Sequence, residues 1–156
     1  MSPLLALLVL QAPLTKEVGL TWSFPGTVKW SKGRYELVGK EIRGEVVWFT
    51  APNGRFEAEA LYKSDTQRTK EADETREFSH VRTSTTFAGL PAIASDQRYM
   101  WKGAMVASRC VYAVQGNRAW VVRLWWPRTR LGGGKAAEAF LQSCRLVGGS
   151  SAKPVP

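Results

Sequence analysis

The chain has 156 residues, of which 44% are hydrophobic and seven are tryptophan. That composition excludes intrinsic disorder and is enough for one domain with its own core. The formal charge is +9 and sits unevenly: the ten lysines and arginines after residue 82 face only Asp96 and Glu138, so +8 belongs to the C-terminal part. A field of one sign draws polyanions such as nucleic acid, anionic lipid or acidic wall polymer without selecting among them.

Residues 1–15 carry no charged side chain, and Leu4 to Leu10 is an unbroken apolar run. Its length is that of a signal peptide, far short of the roughly 20 residues that span a bilayer, and Ala12 offers a small residue for cleavage. The expectation is an export signal over 1–15, a domain over 16–147 and a disordered tail over 148–156. The mature chain would then be periplasmic, envelope-bound or secreted. No basic residue precedes the run, so the alternative is a cytoplasmic chain in which this segment packs as a helix or strand. Cys110 and Cys144 are the only cysteines; in an exported protein such a pair forms one disulfide, in a cytosolic one two buried thiols. Neither has the spacing or neighbours of a metal site.

In chain order, Val18, Leu20, Trp22 and Phe24 alternate with small or polar residues and predict a strand that Pro25 and Gly26 end. Residues 30–41 read as a turn and a strand. EVVWFT, APNG and RFEAEALY predict a hairpin, with a type I turn pairing Ala51 with Arg55 and with Glu57 and Glu59 on the water face. Residues 64–83 are the most polar stretch and read as a helix lying thinly on the sheet or as a mobile loop. Strands follow at 92–100 and 104–114. RCVYAVQGNRAWVVRLWW then forms a hairpin about Gly116 and Asn117, giving three consecutive antiparallel strands. RTRLGGG is a loop. In KAAEAFLQSC, Ala137, Phe140, Leu141 and Cys144 fall on one helical face, and residues 145–147 continue as a short strand or coil. The fold class is α+β, a mostly antiparallel sheet with helices packed on it.

The phrases Phe24-Pro25-Gly26, FAGLPA at 87–92, the "G-N-R-x-aromatic" hairpin and the closing FLQSCRL resemble the PsbP-like fold family. The likeness is strongest to its small exported bacterial members of unassigned function, the DcrB-like ones included. Here Trp120 stands for the usual Tyr, and Cys144 stands where an aromatic is usual, as though a covalent plug had replaced an apolar one. The resemblance covers about Val18 to Val147 and rests on packing and turn residues. It implies a PsbP-like sandwich and a non-enzymatic scaffold, because members such as a photosystem accessory subunit and a nuclear transport factor act by binding partners.

The residues supply little chemistry. His80 is the sole imidazole and lies in a charged segment, so no Ser or Cys nucleophile has an evident base. Asp65, Asp73 and Glu74 lack calcium-loop spacing. Gly132, Gly133, Gly134 and Lys135 precede a helix, but Thr129 and Ala136 stand where a phosphate loop needs Gly and Ser or Thr. No cofactor is expected. The remaining candidate is a basic, aromatic patch of Arg109, Arg123, Trp125, Arg128 and Arg130. Against it stands simple alternation, which buries Trp120, Val122, Leu124 and Trp126 and leaves Arg123 merely exposed. The expected function is therefore a non-catalytic envelope module that binds a protein or an anionic envelope polymer. The alternatives are a nucleic-acid-binding module and a small hydrolase.

Overall fold

A computed structural model describes residues 18–147; the expected export signal and tail lie outside the described residues. The elements are β1 (Leu20–Thr21), β2 (Gly26–Ser31), β3 (Arg34–Gly39), β4 (Arg43–Thr50), α1 (Ala58–Glu71), β5 (Thr75–Phe87), β6 (Leu90–Trp101), β7 (Ala104–Gln115), β8 (Arg118–Pro127), α2 (Gly133–Ser143) and β9 (Arg145–Leu146). Seven strands form one antiparallel sheet in the order β2-β3-β4-β8-β7-β6-β5. β1 and β9 pair apart from it, with Leu20 opposite Leu146.

Three hairpins turn on Lys32-Gly33, Ala88-Gly89 and Lys102-Gly103, all with positive φ, the geometry whose twist matches that of the flanking strands. The β7–β8 hairpin turns at Gly116 and Asn117 as its sequence predicts, with Gln115 opposite Arg118.

β8 lies in the middle of the sheet, and Ala119, Trp120, Val121 and Val122 are all buried because both faces are covered. One face carries the larger core: Trp120, Val122, Leu124, Val46, Tyr35 and Leu37 pack against α2 and the segment Val18–Phe24. The alternating side chains Val18, Leu20, Trp22 and Phe24 are buried there as expected, and Trp120 Nε1 donates to the Val18 carbonyl at 2.6 Å. The opposite face holds a smaller cluster of Ile93, Cys110, Tyr112 and Val121 under Tyr62, Leu61 and Ala58 of α1.

The hairpin expected from EVVWFT and RFEAEALY does not form. The turn at Ala51–Gly54 exists, with Gly54 N–H donating to the Ala51 carbonyl at 3.4 Å, but the chain then enters α1, and β4 pairs instead with β3 and β8. The alternation of FEAEAL mimics a strand, yet Glu, Ala and Leu are strong helix formers, and Glu and Ala are disfavoured in strands. Glu57 and Glu59 thus sit at a helix start rather than on a strand face. Within the polar stretch 64–83, the first part completes α1 and the rest belongs to β5, an edge strand whose residues from Ser79 to Thr86 are exposed.

Candidate functional site

The two helices cover different halves of the sheet. α1 lies across β5, β6 and β7 on one face, whereas α2 lies over β8 on the other. On the α2 face the helix does not extend over β5 and β6, and a groove of about 950 Å³ runs along that side. Its depth follows from side-chain size. The rows that carry Trp120 and Val122 in β8 pass through Ala113 and Val111 in β7 to Ala92 and Ala94 in β6, then to Thr85 and Thr83 in β5. Small residues keep that half of the floor low, and Glu138, Leu141 and Gln142 of α2 form the facing wall.

Arg109 bridges this groove. Its Nε donates to Asp96 Oδ1 at 2.7 Å and its Nη1 to Glu138 Oε2 at 2.5 Å, tying the sheet to the helix. Burial works against the guanidinium charge, but the two carboxylates outweigh it and hold its pKa above the ordinary arginine value.

On the other face Arg123 is the hub of a second network. Its Nη1 donates to Glu45 Oε1 at 2.6 Å. Its Nε and Nη2 both reach the Asp65 carboxylate of α1, the Nη2 contact being the shorter. Asp65 is 5% exposed and also accepts from Tyr112 Oη at 2.5 Å and Arg68 Nη2 at 2.8 Å. Burial would raise its pKa, yet the hydrogen bonds and charge of Arg123, with Tyr112 and Arg68, hold it below the usual carboxylate value. Arg123 is not the merely exposed residue that alternation predicts.

The basic, aromatic patch is thereby dispersed. Arg109 and Arg123 stand on opposite faces of the sheet, each engaged by two carboxylates. Trp125 is half-buried on Arg123's face, paired across strands with Arg43 and Ser108. Arg128 and Arg130 are exposed in the loop before α2. The expected Cys110–Cys144 bridge is likewise absent: both are free thiols, Cys110 in the α1 cluster and Cys144 in the α2 core, with the sheet between them. Burial, aided by Asp65, pushes Cys110 up to about 11, and burial pushes Cys144 up to about 12. His80 meets Tyr62 Oη at 2.7 Å, so its partner is a phenol and not a nucleophilic Ser or Cys.

The glycine run before α2 has a packing reason. A Cβ on Gly133 would lie 2.2 Å from two ring atoms of Trp126, and one on Gly132 would lie 2.6 Å from Glu41. Trp126 thus docks under the helix start, and the run serves close approach rather than a phosphate.

No family model and no curated protein matches the sequence, but solved structures do match the fold. It is similar to the PsbP of the cyanobacterium Synechocystis, at a TM-score of 0.61 and 10% identity over 85% of this chain and 89% of that one. LpqN of Mycobacterium tuberculosis, involved in cell envelope biogenesis, matches at 0.51 and 12% identity over 81% of this chain and 83% of that one. A protein of Bacteroides thetaiotaomicron matches at 0.55 and 14% identity over 88% of this chain, which spans 48% of its length. The fold is PsbP-like. At such identities the likeness defines architecture alone. No helix among the described residues is long and apolar enough to cross a membrane.

Proposed function

We propose that this chain is an exported, non-catalytic binding module of the bacterial envelope, and that it receives an extended polypeptide segment at β5 and the adjoining groove. The observation that carries this reading is the groove beside a strand that lies at the sheet edge among the described residues. β5 pairs only with β6 among the described residues, so its outer N–H and C=O groups are available for strand addition, while the groove takes alternate side chains of the guest. A β-bulge between Arg76 and Ser79, with Glu77 at φ 54°, breaks the lower part of the strand. From Ser79 to Phe87 the register with β6 is unbroken, and that length suits a guest strand of ordinary size.

Support for a non-catalytic role comes from the side chains themselves. Both thiols are buried and protonated at neutral pH, and the only imidazole is engaged by Tyr62. Export is supported by the apolar run Leu4–Leu10 and by the likeness to an envelope protein.

The test compares the wild type with Thr85→Trp, which fills the groove from an exposed position. Both are recovered from the envelope fraction under native expression, and the intact mass of each is measured. The expected result is a mature chain starting near Pro13 to Thr15, with a stoichiometric protein companion on the wild type and none on the variant. A full-length cytoplasmic chain would overturn export. The same companion on both would overturn the groove.

A further inference from the structure

Between β8 and α2 the loop Arg128–Gly132 is held by backbone hydrogen bonds to the neighbouring strands and within itself. Arg128 N–H donates to the Met105 carbonyl at 3.0 Å, Arg130 N–H to Pro127 at 2.8 Å and Gly133 N–H to Arg130 at 3.1 Å. The Arg130 guanidinium also holds the Lys40 carbonyl of the β3–β4 turn. The loop nevertheless presents Leu131 at 96% exposure. An ordered loop that holds a leucine in water calls for a reason, since nothing among the described residues covers it.

The surrounding charge supplies one. Lys40, Arg128, Arg130 and Lys135 are all exposed, and none forms an ion pair among the described residues. One carboxylate, Glu41, lies against Gly132. This contrasts with Arg109 and Arg123, whose charge is spent internally. Three cations of the C-terminal part, Arg128, Arg130 and Lys135, are thus gathered with Lys40 at one end of the molecule around the protruding Leu131, while Arg98 and Arg145 lie elsewhere on β6 and β9. An apolar tip ringed by cations matches a surface that is anionic on the outside and hydrocarbon just beneath. Nucleic acid offers the anions, but its single-strand binders use aromatic platforms for stacking rather than a lone aliphatic tip.

We propose that the Arg128–Gly132 loop, with Lys40 and Lys135, docks this protein on an anionic lipid surface, with Leu131 entering the acyl boundary and the four cations lying over the headgroups. This site is at the opposite end of the strands from the Phe87–Leu90 turn, so it leaves the groove free, and it does not depend on the reading of that groove.

The experiment is co-sedimentation of the chain as recovered from native expression with vesicles of phosphatidylcholine alone and with about 30% phosphatidylglycerol. The wild type is expected to bind only the anionic vesicles and to be released by about 0.5 M salt. Arg128→Gln with Arg130→Gln should weaken binding about 25-fold, at about fivefold per cation, and Arg128→Gln alone and Leu131→Asp should each weaken it about fivefold with unchanged melting temperature, because those two side chains are exposed. Equal binding by wild type and variants, or none by the wild type, would overturn the proposal. So would tighter binding to a single-stranded oligonucleotide that the double Arg variant loses and Leu131→Asp keeps, an outcome that assigns the loop to nucleic acid.

Discussion

Tyr112 in β7 donates a hydrogen bond from its hydroxyl to Asp65 Oδ2 in α1 at 2.5 Å, across 47 residues of sequence. That bond and the Arg123 pair fix a polar helix to the sheet where an apolar stripe would ordinarily do so. Removing one partner of a buried pair costs about 3 kcal/mol or more when the other charge is left alone, and less here because Arg123 keeps Glu45. Asp65→Asn should therefore lower the unfolding free energy by about 2 kcal/mol in urea titration, and Tyr112→Phe by about 1 kcal/mol.

The same carboxylate shapes the acid limb of stability. Its folded pKa lies below the ordinary 3.8, so its stabilisation is fully present above the unfolded value and is lost as pH falls through the folded one. Unfolding free energy measured from pH 5 downward should fall for the wild type, and its slope should flatten in Asp65→Asn.

The sheet between Cys110 and Cys144 makes a chemical prediction. Neither thiol should react with an alkylating agent in the native protein near pH 8, since the thiolate is the reactive form and burial holds both pKa values at about 11 and about 12. Both should react once the chain is unfolded without reductant, and reduction should leave the melting temperature unchanged. A drop in melting temperature on reduction would restore the bridge.

Gly133 is where α2 meets Trp126. Gly133→Ala should cost about 1–3 kcal/mol through overpacking, and the cost should shrink in a Trp126→Leu background, where the ring atoms that a Cβ would meet at 2.2 Å are gone. Equal costs in both backgrounds would place the strain elsewhere.

The legible parts of this chain are those in which hydrophobic periodicity and the final structure share one cause. The hairpin at Gly116, the three strands β6 to β8, the buried face of Val18–Phe24 and the stripe of α2 all follow from apolar spacing. α1 was hidden because its inward residues are Tyr62, Asp65 and Thr66, so its anchor is an ion pair made with a strand more than fifty residues on. β5 was hidden because an edge strand exposed from Ser79 to Thr86 and touched by α1 through polar side chains has no apolar alternation to read. The candidate patch failed for a related reason. Sequence places Arg109 and Arg123 in one hairpin, but strand parity sends them to opposite faces, and their partners Asp96, Glu138, Glu45 and Asp65 are visible only in three dimensions. The groove had no signal beyond Ala92 and Ala94, whose small size matters only once α2 is known to stop short of them.

The most direct test of the binding account is photo-crosslinking in the native envelope, with a benzophenone side chain at Thr85 in the groove and, separately, at Val38, which is exposed on the opposite face of β3. The account predicts one discrete protein adduct from position 85 and none from position 38. No adduct at 85, or the same adducts at both positions, would contradict it.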